Sequence, residues 1–542
     1  MRNINAKSMN KMTGLLFMAA VTLLTVNACK TREHRKMARP DDHLHGAINH
    51  RHNVAFDSNQ VAIFYTHFPE LEKYRKDVTE VYRQHKFFHI WYDEKGVIEF
   101  GQTLYTKSEE LDQEGIASKF PYREKIESVF DNEIENTLTQ VETELMLTNL
   151  YLFYAENVYK GLADSTSAAM GWLLPRKQVE YRALLDSLMT SDQLINRDDS
   201  MLIGQYYKLR DFLLKYREIE KNGGWKPVDL DPRHPGYRPG DTSRVILQVR
   251  ERLFAEGYLK QDSRLSRYDP ELEEAVKNFQ VHTGKNPNEL ILPEHIREMN
   301  VPVGERIKTI IVNMERCRWI SPEFARAKEY IVVNIPAYML TMVRDGKIWL
   351  RSPVVVGKNV TRTVIFSGMM RYIIFSPYWN VPTSIYNKEI KPGMARNKNY
   401  LEQHNMEMID GQVRQKPGKN NSLGQVKFIF PNSNDIYMHD TPAKSLFAQE
   451  NRAFSHGCIR VGKPFDLAVA ILEDDPSWTP ERIRAAMNAG RENTVVLKEP
   501  IPVYIGYFTA WVNLKGEISF FNDVYQRDDR LVQLMIGDQP GQ

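Results

Sequence analysis

Tyr437-Met438-His439-Asp440-Thr441-Pro442 and Ser455-His456-Gly457-Cys458-Ile459-Arg460 carry most of the chemistry in this chain, with 15 residues between His439 and Ser455. A thiol attacks well only as thiolate. Its free pKa is about 8.5, so it requires a cation or a base nearby. An imidazole supplies one and can later return the proton to a leaving amine. Gly457 leaves the backbone beside the cysteine uncrowded. Its N–H and that of Cys458 are therefore candidate donors to a developing oxyanion, each typically worth about 3 kcal/mol. A cysteine near a histidine is weak evidence alone, because a buried, inert cysteine is the ordinary case. The two segments together, at this spacing, carry the reading.

Around these segments the texture is that of strands. From Arg306 onward, Tyr330–Ile335 is short and β-branched. Leu340–Leu350 reads as a hairpin, with Asp345-Gly346 as a tight turn that favours positive φ. Tyr372–Phe375, Val426–Phe430, Thr494–Lys498 and Val503–Val512 are further strand candidates, and residues 387–425 interrupt them with a polar insertion. Thr479-Pro480-Glu481 starts a helix, with Thr as cap and Pro in the first turn.

Upstream, residues 57–242 read as a helical domain. Leu145, Leu147, Leu150, Tyr151 and Tyr154 fit one apolar helix face. Pro232-Arg233-His234-Pro235-Gly236 reads as a linker. Residues 243–302 form a unit of their own, with helix patterns at Val245-Ile246-Leu247…Leu253 and Leu272…Ala275-Val276…Phe279.

The paired site segments resemble the signature of the L,D-transpeptidase catalytic domain of the YkuD type, where a histidine stands about this far before a Ser/Thr-His-Gly-Cys run. Pro377-Tyr378-Trp379-Asn380-Val381-Pro382, Lys416-Pro417-Gly418…Asn421-Ser422-Leu423-Gly424 and Pro502-Val503-Tyr504…Tyr507…Thr509-Ala510-Trp511-Val512 are similar to the large, multidomain YcbB-type branch. So are Glu144-Leu145-Met146-Leu147-Thr148 and Arg306…Asn313-Met314-Glu315-Arg316…Trp319. Leu247-Gln248…Leu253…Gly257-Tyr258 and Ala275-Val276…Phe279-Gln280…Gly284 resemble a three-helix peptidoglycan-binding module, with Lys285-Asn286-Pro287-Asn288 in place of its usual glycine-rich turn.

The resemblance implies a mostly β, sandwich-like catalytic domain over residues 303–542, with a few helices and residues 387–425 as a lid. It implies Cys458 as nucleophile and His439 as base, oriented by the backbone carbonyl of Asp440 rather than its carboxylate. His456 would position the nucleophile loop, and Gly457 would donate its N–H to the oxyanion. Arg460, Ser455, Tyr437 and Trp379 are the candidates for substrate binding. The implied reaction is a two-step acyl transfer that forms 3→3 cross-links between peptidoglycan stem peptides. Hydrolysis of the same thioester is the alternative within enzymes, and a non-catalytic wall-binding lipoprotein the alternative outside them. No cofactor and no metal are expected. Other wall-synthesis enzymes are candidate partners.

The N-terminus agrees with an envelope address. Arg2, Lys7 and Lys11 precede an apolar run from Leu15 to Val26, short for a bilayer span, and then Val26-Asn27-Ala28-Cys29. This resembles a lipoprotein signal over residues 1–28, so Cys29 is expected to be lipidated and to anchor the protein to a membrane. Residues 29–56, with His34, His43, His45, His50 and His52, read as a flexible tether. Three cysteines (the third is Cys317, read as a buried small side chain) make no disulfide framework. A formal charge of +3 over 542 residues leaves no electrostatic footprint for nucleic acid.

Overall fold

The computed structural model describes residues 54–131, 133–191 and 201–536. The expected signal peptide, Cys29 and the histidines of the expected tether lie outside the described residues.

The C-terminal part of the chain is built on one sheet closed on itself. Its strands are β1 (Glu329–Asn334), β2 (Met339–Arg344), β3 (Lys347–Gly357), β4 (Ser367–Phe375), β5 (Val426–Ile429), β6 (Met438–His439), β7 (Ala453–Ser455), β8 (Ile459–Val461) and β9 (Asn493–Gly506). Their order is β7-β3-β8-β6-β5-β4-β9-β1-β2, and β2 pairs back onto β3. Asp345 and Gly346 take φ of 49° and 71°, the left-handed pair that a two-residue hairpin requires. The length of β3 explains closure. Its first half pairs with β2, Val354 and Val355 pair with β8, and Val356 and Gly357 pair with β7. What reads in sequence as sandwich-like is therefore joined through a single shared strand. Ile331, Val333, Leu340, Met342, Val354, Ile373, Phe428, Met438 and Ile459 are fully buried in its core.

Two sequence-read strands redistribute. Thr494–Lys498 and the start of Val503–Val512 merge into β9, with a register shift between Val496 and Ile501. Pro500 falls at that break, where it has no N–H to give a ladder. The run then stops, and Ala510–Val512 pairs instead with Ile518–Phe520. The insertion builds a separate three-stranded sheet from Trp379–Asn380, Gln412–Gln415 and Met406–Ile409. Ile390, Met406 and Val413 form its small core, with Trp379 packed against it.

In the helical part, α1 (Gln140–Ala155) starts with a capping box between Thr139 and Glu142. Its apolar stripe suggests one buried face, yet every residue from Thr143 to Ala155 is buried. A helix enclosed on all sides must satisfy its polar groups internally. Glu144, fully buried, does so by accepting from Ile90 N–H at 2.6 Å, Trp91 N–H at 3.2 Å and Tyr82 hydroxyl at 2.9 Å. The helix α2 (Gly204–Lys221) completes this domain.

The three-helix module is α3 (Arg244–Glu256), α4 (Pro270–His282) and α5 (Pro293–Met299). Val228 lies in its core, Leu230 and Tyr237 pack against that core, and Tyr237 bridges to Ile291. The stretch read as a linker is thus bound into the module. Lys285 and Asn286 dock onto the sheet-bearing part: Lys285 Nζ pairs with Glu450 Oε2 at 2.9 Å, and Asn286 Nδ2 donates to Ala448 O at 3.2 Å. Next, α6 (Val303–Arg318) packs on α2, and one core runs from the helical domain through the barrel. Among the described residues no helix is long and apolar enough to cross a membrane.

Candidate active site

β6 and β8 lie parallel, with Met438 opposite Ile459 and His439 opposite Arg460. Ile459 N–H donates to Tyr437 O at 3.1 Å, which extends the register one step back toward Cys458. Side chains alternate along a strand, and partners in a parallel pair share a face. Met438 and Ile459 enter the core. The opposite face therefore gathers Tyr437, His439, Cys458 and Arg460. Two very short strands suffice to bring the two sequence segments together.

His439 is buried, and its Nδ1 lies 2.5 Å from the Asp440 carbonyl oxygen. A carbonyl only accepts, so Nδ1 carries the hydrogen and Nε2 keeps its lone pair. The Asp440 carboxylate is engaged elsewhere. It accepts from Thr441 N–H at 2.7 Å and Gln425 N–H at 2.9 Å, and it contacts Lys444 Nζ.

The loop that carries Cys458 turns at Gly457, whose φ is +121°. An added Cβ would meet nothing closer than 3.9 Å, so conformation rather than space demands glycine there. Ser455 ties the loop from inside: its Oγ donates to Cys458 O at 2.6 Å and accepts from Gly457 N–H at 3.1 Å. Two expectations change here. Ser455 is buried and fully engaged, so it shapes the loop rather than meeting a substrate. The Gly457 N–H is already committed to Ser455, whereas no hydrogen bond among the described residues takes the Cys458 N–H. Of the two, the Cys458 N–H is thereby the freer candidate donor. Trp379 is half-buried and packs against the small core of the insertion.

The Cys458 thiol points toward Asp435 O at 3.7 Å, and Tyr437 acts on it electrostatically. Burial pushes the thiol up, against the pull of Tyr437. Burial pushes His439 down to about 3; Arg460 and Lys427 act in the same direction, and the Asp440 carbonyl opposes them. At rest the pair is therefore a neutral thiol and a neutral imidazole. A neutral imidazole in this place is free to accept a proton.

Arg460 holds a cation beside this pair. Its Nε is buried without a partner, and among the described residues no carboxylate pairs with it. His456 lies on the lid side, half-exposed, with Nε2 3.7 Å from Glu389 Oε1 of the insertion. Cys317 is buried and free, and burial pushes its thiol up. Among the described residues no three-residue cluster of metal-ligating side chains occurs.

Sequence reasoning missed Lys427 and Glu389. Lys427 pairs with His439 across β5 and β6, and burial pushes its ammonium down. In Val426-Lys427-Phe428 it reads as the polar face of a strand. The only available signal was its place opposite a catalytic candidate.

Residues 328–480 match the family described as L,D-transpeptidase catalytic domain (YkuD). Over these residues the chain is similar to L,D-transpeptidase catalytic domains. Residues 76–213 match the family described as Scaffold domain, which places the helical part. A curated relative from Haemophilus influenzae, provisionally named an L,D-transpeptidase, is 34% identical over 243 residues, covering 41% of this chain and 48% of the relative. The chain thus spans about half the length of that relative. Among solved structures, an L,D-transpeptidase from Stackebrandtia nassauensis is similar at 14% identity and a TM-score of 0.21, over 52% of this chain and 96% of that one. An L,D-transpeptidase in complex with imipenem is similar at 15% identity and a TM-score of 0.18, over 33% and 59%. β9 and everything after it lie beyond the matched L,D-transpeptidase domain.

Proposed function

We propose that the protein is an L,D-transpeptidase that forms 3→3 cross-links in peptidoglycan through a thioester on Cys458. The observation that carries this reading is the β6–β8 register, which puts His439 and Cys458 on one face with the unpaired Arg460. As the Cys458 sulfur bonds to the carbonyl carbon of the third, diamino residue of a stem, its proton passes to His439 Nε2. The Cys458 N–H supports the oxyanion. Collapse breaks the C–N bond, and His439 returns the proton to the amine of the departing D-alanine. An amine of a second stem then attacks the thioester and gives its proton to His439, which hands it back to the leaving thiolate. Arg460, a cation without a partner, is the candidate for a substrate carboxylate. The insertion, which meets the nucleophile loop through Glu389 and His456, acts as a lid that excludes water from the thioester.

Mass spectrometry of wall fragments incubated with the purified protein tests the reaction. Cross-linked dimers are expected. Trimmed tripeptides alone would make water the acceptor, and unchanged fragments would remove the enzymatic reading.

A strained lactam presents an amide-like carbonyl to the same thiolate. Imipenem is accordingly expected to add once to the protein, with the adduct lost in Cys458→Ala. Intact-mass measurement decides this, and an adduct that survives the substitution would place the nucleophile elsewhere.

The envelope address rests on the Val26–Cys29 motif. One acyl chain binds membranes marginally, whereas the several chains of a lipoprotein anchor it stably. Cys29→Ser is therefore expected to move the protein from the membrane to the soluble envelope fraction. Unchanged sedimentation with membranes would rule the anchor out.

A further inference from the structure

The nucleophile loop is held from beneath by groups that the reaction scheme does not use. Thr363 Oγ1 donates to Gly457 O at 2.8 Å and accepts from Gly357 N–H at 2.9 Å. The Tyr525 hydroxyl donates to Gly357 O at 2.7 Å and accepts from Thr363 N–H at 3.1 Å. Both side chains are fully buried. Residues 357–363 are thus pinned into a loop, whose Thr361 Oγ1 also donates to Ser455 O at 3.0 Å. Tyr525 is fixed in turn, since its N–H donates to the Tyr507 hydroxyl at 2.8 Å. The scaffold domain grips both ends of this arrangement. Leu173 N–H donates to Ile365 O at 3.0 Å, and Arg527, two residues after Tyr525, donates to Met170 O.

The contact at Gly457 O has a directional consequence. The Gly457 carbonyl and the Cys458 N–H belong to one peptide unit, which is planar and trans. They point in opposite directions, so fixing the oxygen fixes the direction of the N–H. Gly457 itself offers little resistance to rotation, because it lacks a Cβ and nothing packs within 3.9 Å of where one would stand. The Thr363 hydroxyl therefore supplies the restraint that the loop's own residue cannot.

We propose that Thr363 and Tyr525 are positioning residues for Cys458: Tyr525 locks the 357–363 loop, and Thr363 holds the Gly457 carbonyl so that the Cys458 N–H and thiol face a substrate carbonyl together. Tyr525 lies outside the matched L,D-transpeptidase domain, so the C-terminal segment and the scaffold domain contribute to the site through this contact. The proposal rests on Cys458 as nucleophile.

The test compares full-length Thr363→Val, Thr363→Ser and Tyr525→Phe with the wild type. Imipenem acylation of Cys458 is followed by intact mass and normalised to folded protein by circular dichroism. Iodoacetamide alkylation is followed against pH. Thr363→Val and Tyr525→Phe are expected to acylate roughly 100-fold more slowly, the scale of a misplacement of about 1 Å at a reacting centre. Their alkylation midpoints should match the wild type, because Tyr437, Arg460 and His439 still surround the thiol. Thr363→Ser keeps the hydroxyl and should recover to within about threefold. Wild-type acylation in the first two variants overturns the proposal. So does a midpoint that shifts along with the rate, or a serine variant as slow as the valine one. An adduct that persists in Cys458→Ala shows, separately, that the underlying nucleophile assignment has failed.

Discussion

Cys458→Ala is expected to abolish turnover while leaving the protein folded. In an acyl transfer the nucleophile is the group for which the rest of the site has no substitute, and its removal costs on the order of 10⁶ in kcat. The loop that carries Cys458 does not depend on the sulfur for its shape. Ser455 Oγ and Thr363 Oγ1 hold the backbone oxygens of Cys458 and Gly457, and neither contact involves the thiol. The thiol's own hydrogen-bond partner is the Asp435 carbonyl at 3.7 Å, a long contact. Losing one partly exposed sulfur should shift stability by no more than about 1 kcal/mol. The measurement pairs release of D-alanine from a tetrapeptide stem with thermal unfolding. Release near the wild-type rate in Cys458→Ala would remove the central assignment. Lost activity together with a collapsed melting transition would mean that Cys458 is needed for the fold.

The parts of this site that were legible in the sequence are those that short segments carry whole. His439 with Asp440, and Ser455 through Arg460, are each local, and each segment holds its chemistry in consecutive residues. The hairpin at Asp345-Gly346 and the helix capped by Thr479 were legible for the same reason, because turn and cap chemistry is fixed by neighbours. What stayed hidden depends on long-range pairing. Sheet closure requires β3 to serve three partners, and nothing in Lys347–Gly357 says so. Thr363 reaches Gly457 across 94 residues, and the Tyr525 hydroxyl reaches Gly357 across 168. Each of these hydroxyls reads in sequence as an ordinary Thr or Tyr. Ser455 was misassigned for a related reason: adjacency to a nucleophile does not reveal whether a hydroxyl turns outward or ties its own loop. Trp379 sits within a branch-specific motif and packs against the small core of the insertion.

His439→Ala and His456→Ala are expected to fail in different ways. His439 Nδ1 is bound to the Asp440 carbonyl, so Nε2 is the only nitrogen free to take a proton from Cys458. Without it, neither thiol deprotonation nor leaving-group protonation has a local agent. Turnover should drop by about 10⁴-fold or more, the upper range for a general acid–base group. The loss should hold at every pH. In the wild type, burial with Arg460 and Lys427 nearby moves His439 from 6.5 down to about 3, so the base stays neutral and active well below the ordinary imidazole range. The acid limb of kcat/KM should then fall below pH 6.5. The same shift links to stability with a fixed sign. The unfolded chain takes up this proton near 6.5 and the folded chain only near 3, so stability is whole above 6.5 and drains as pH falls between them. Thiol alkylation by iodoacetamide at neutral pH should slow in His439→Ala, because the thiol that burial has pushed up loses its proton acceptor. His456 is half-exposed and engaged with Glu389 of the insertion at 3.7 Å. Its loss should loosen the loop and the lid and lower turnover roughly 10- to 100-fold, while Cys458 alkylates at close to the wild-type rate. Parallel alkylation profiles of the two variants decide between the assignments. Slow alkylation confined to His456→Ala would reverse them, making His456 the base and leaving His439 a buried, hydrogen-bonded neighbour.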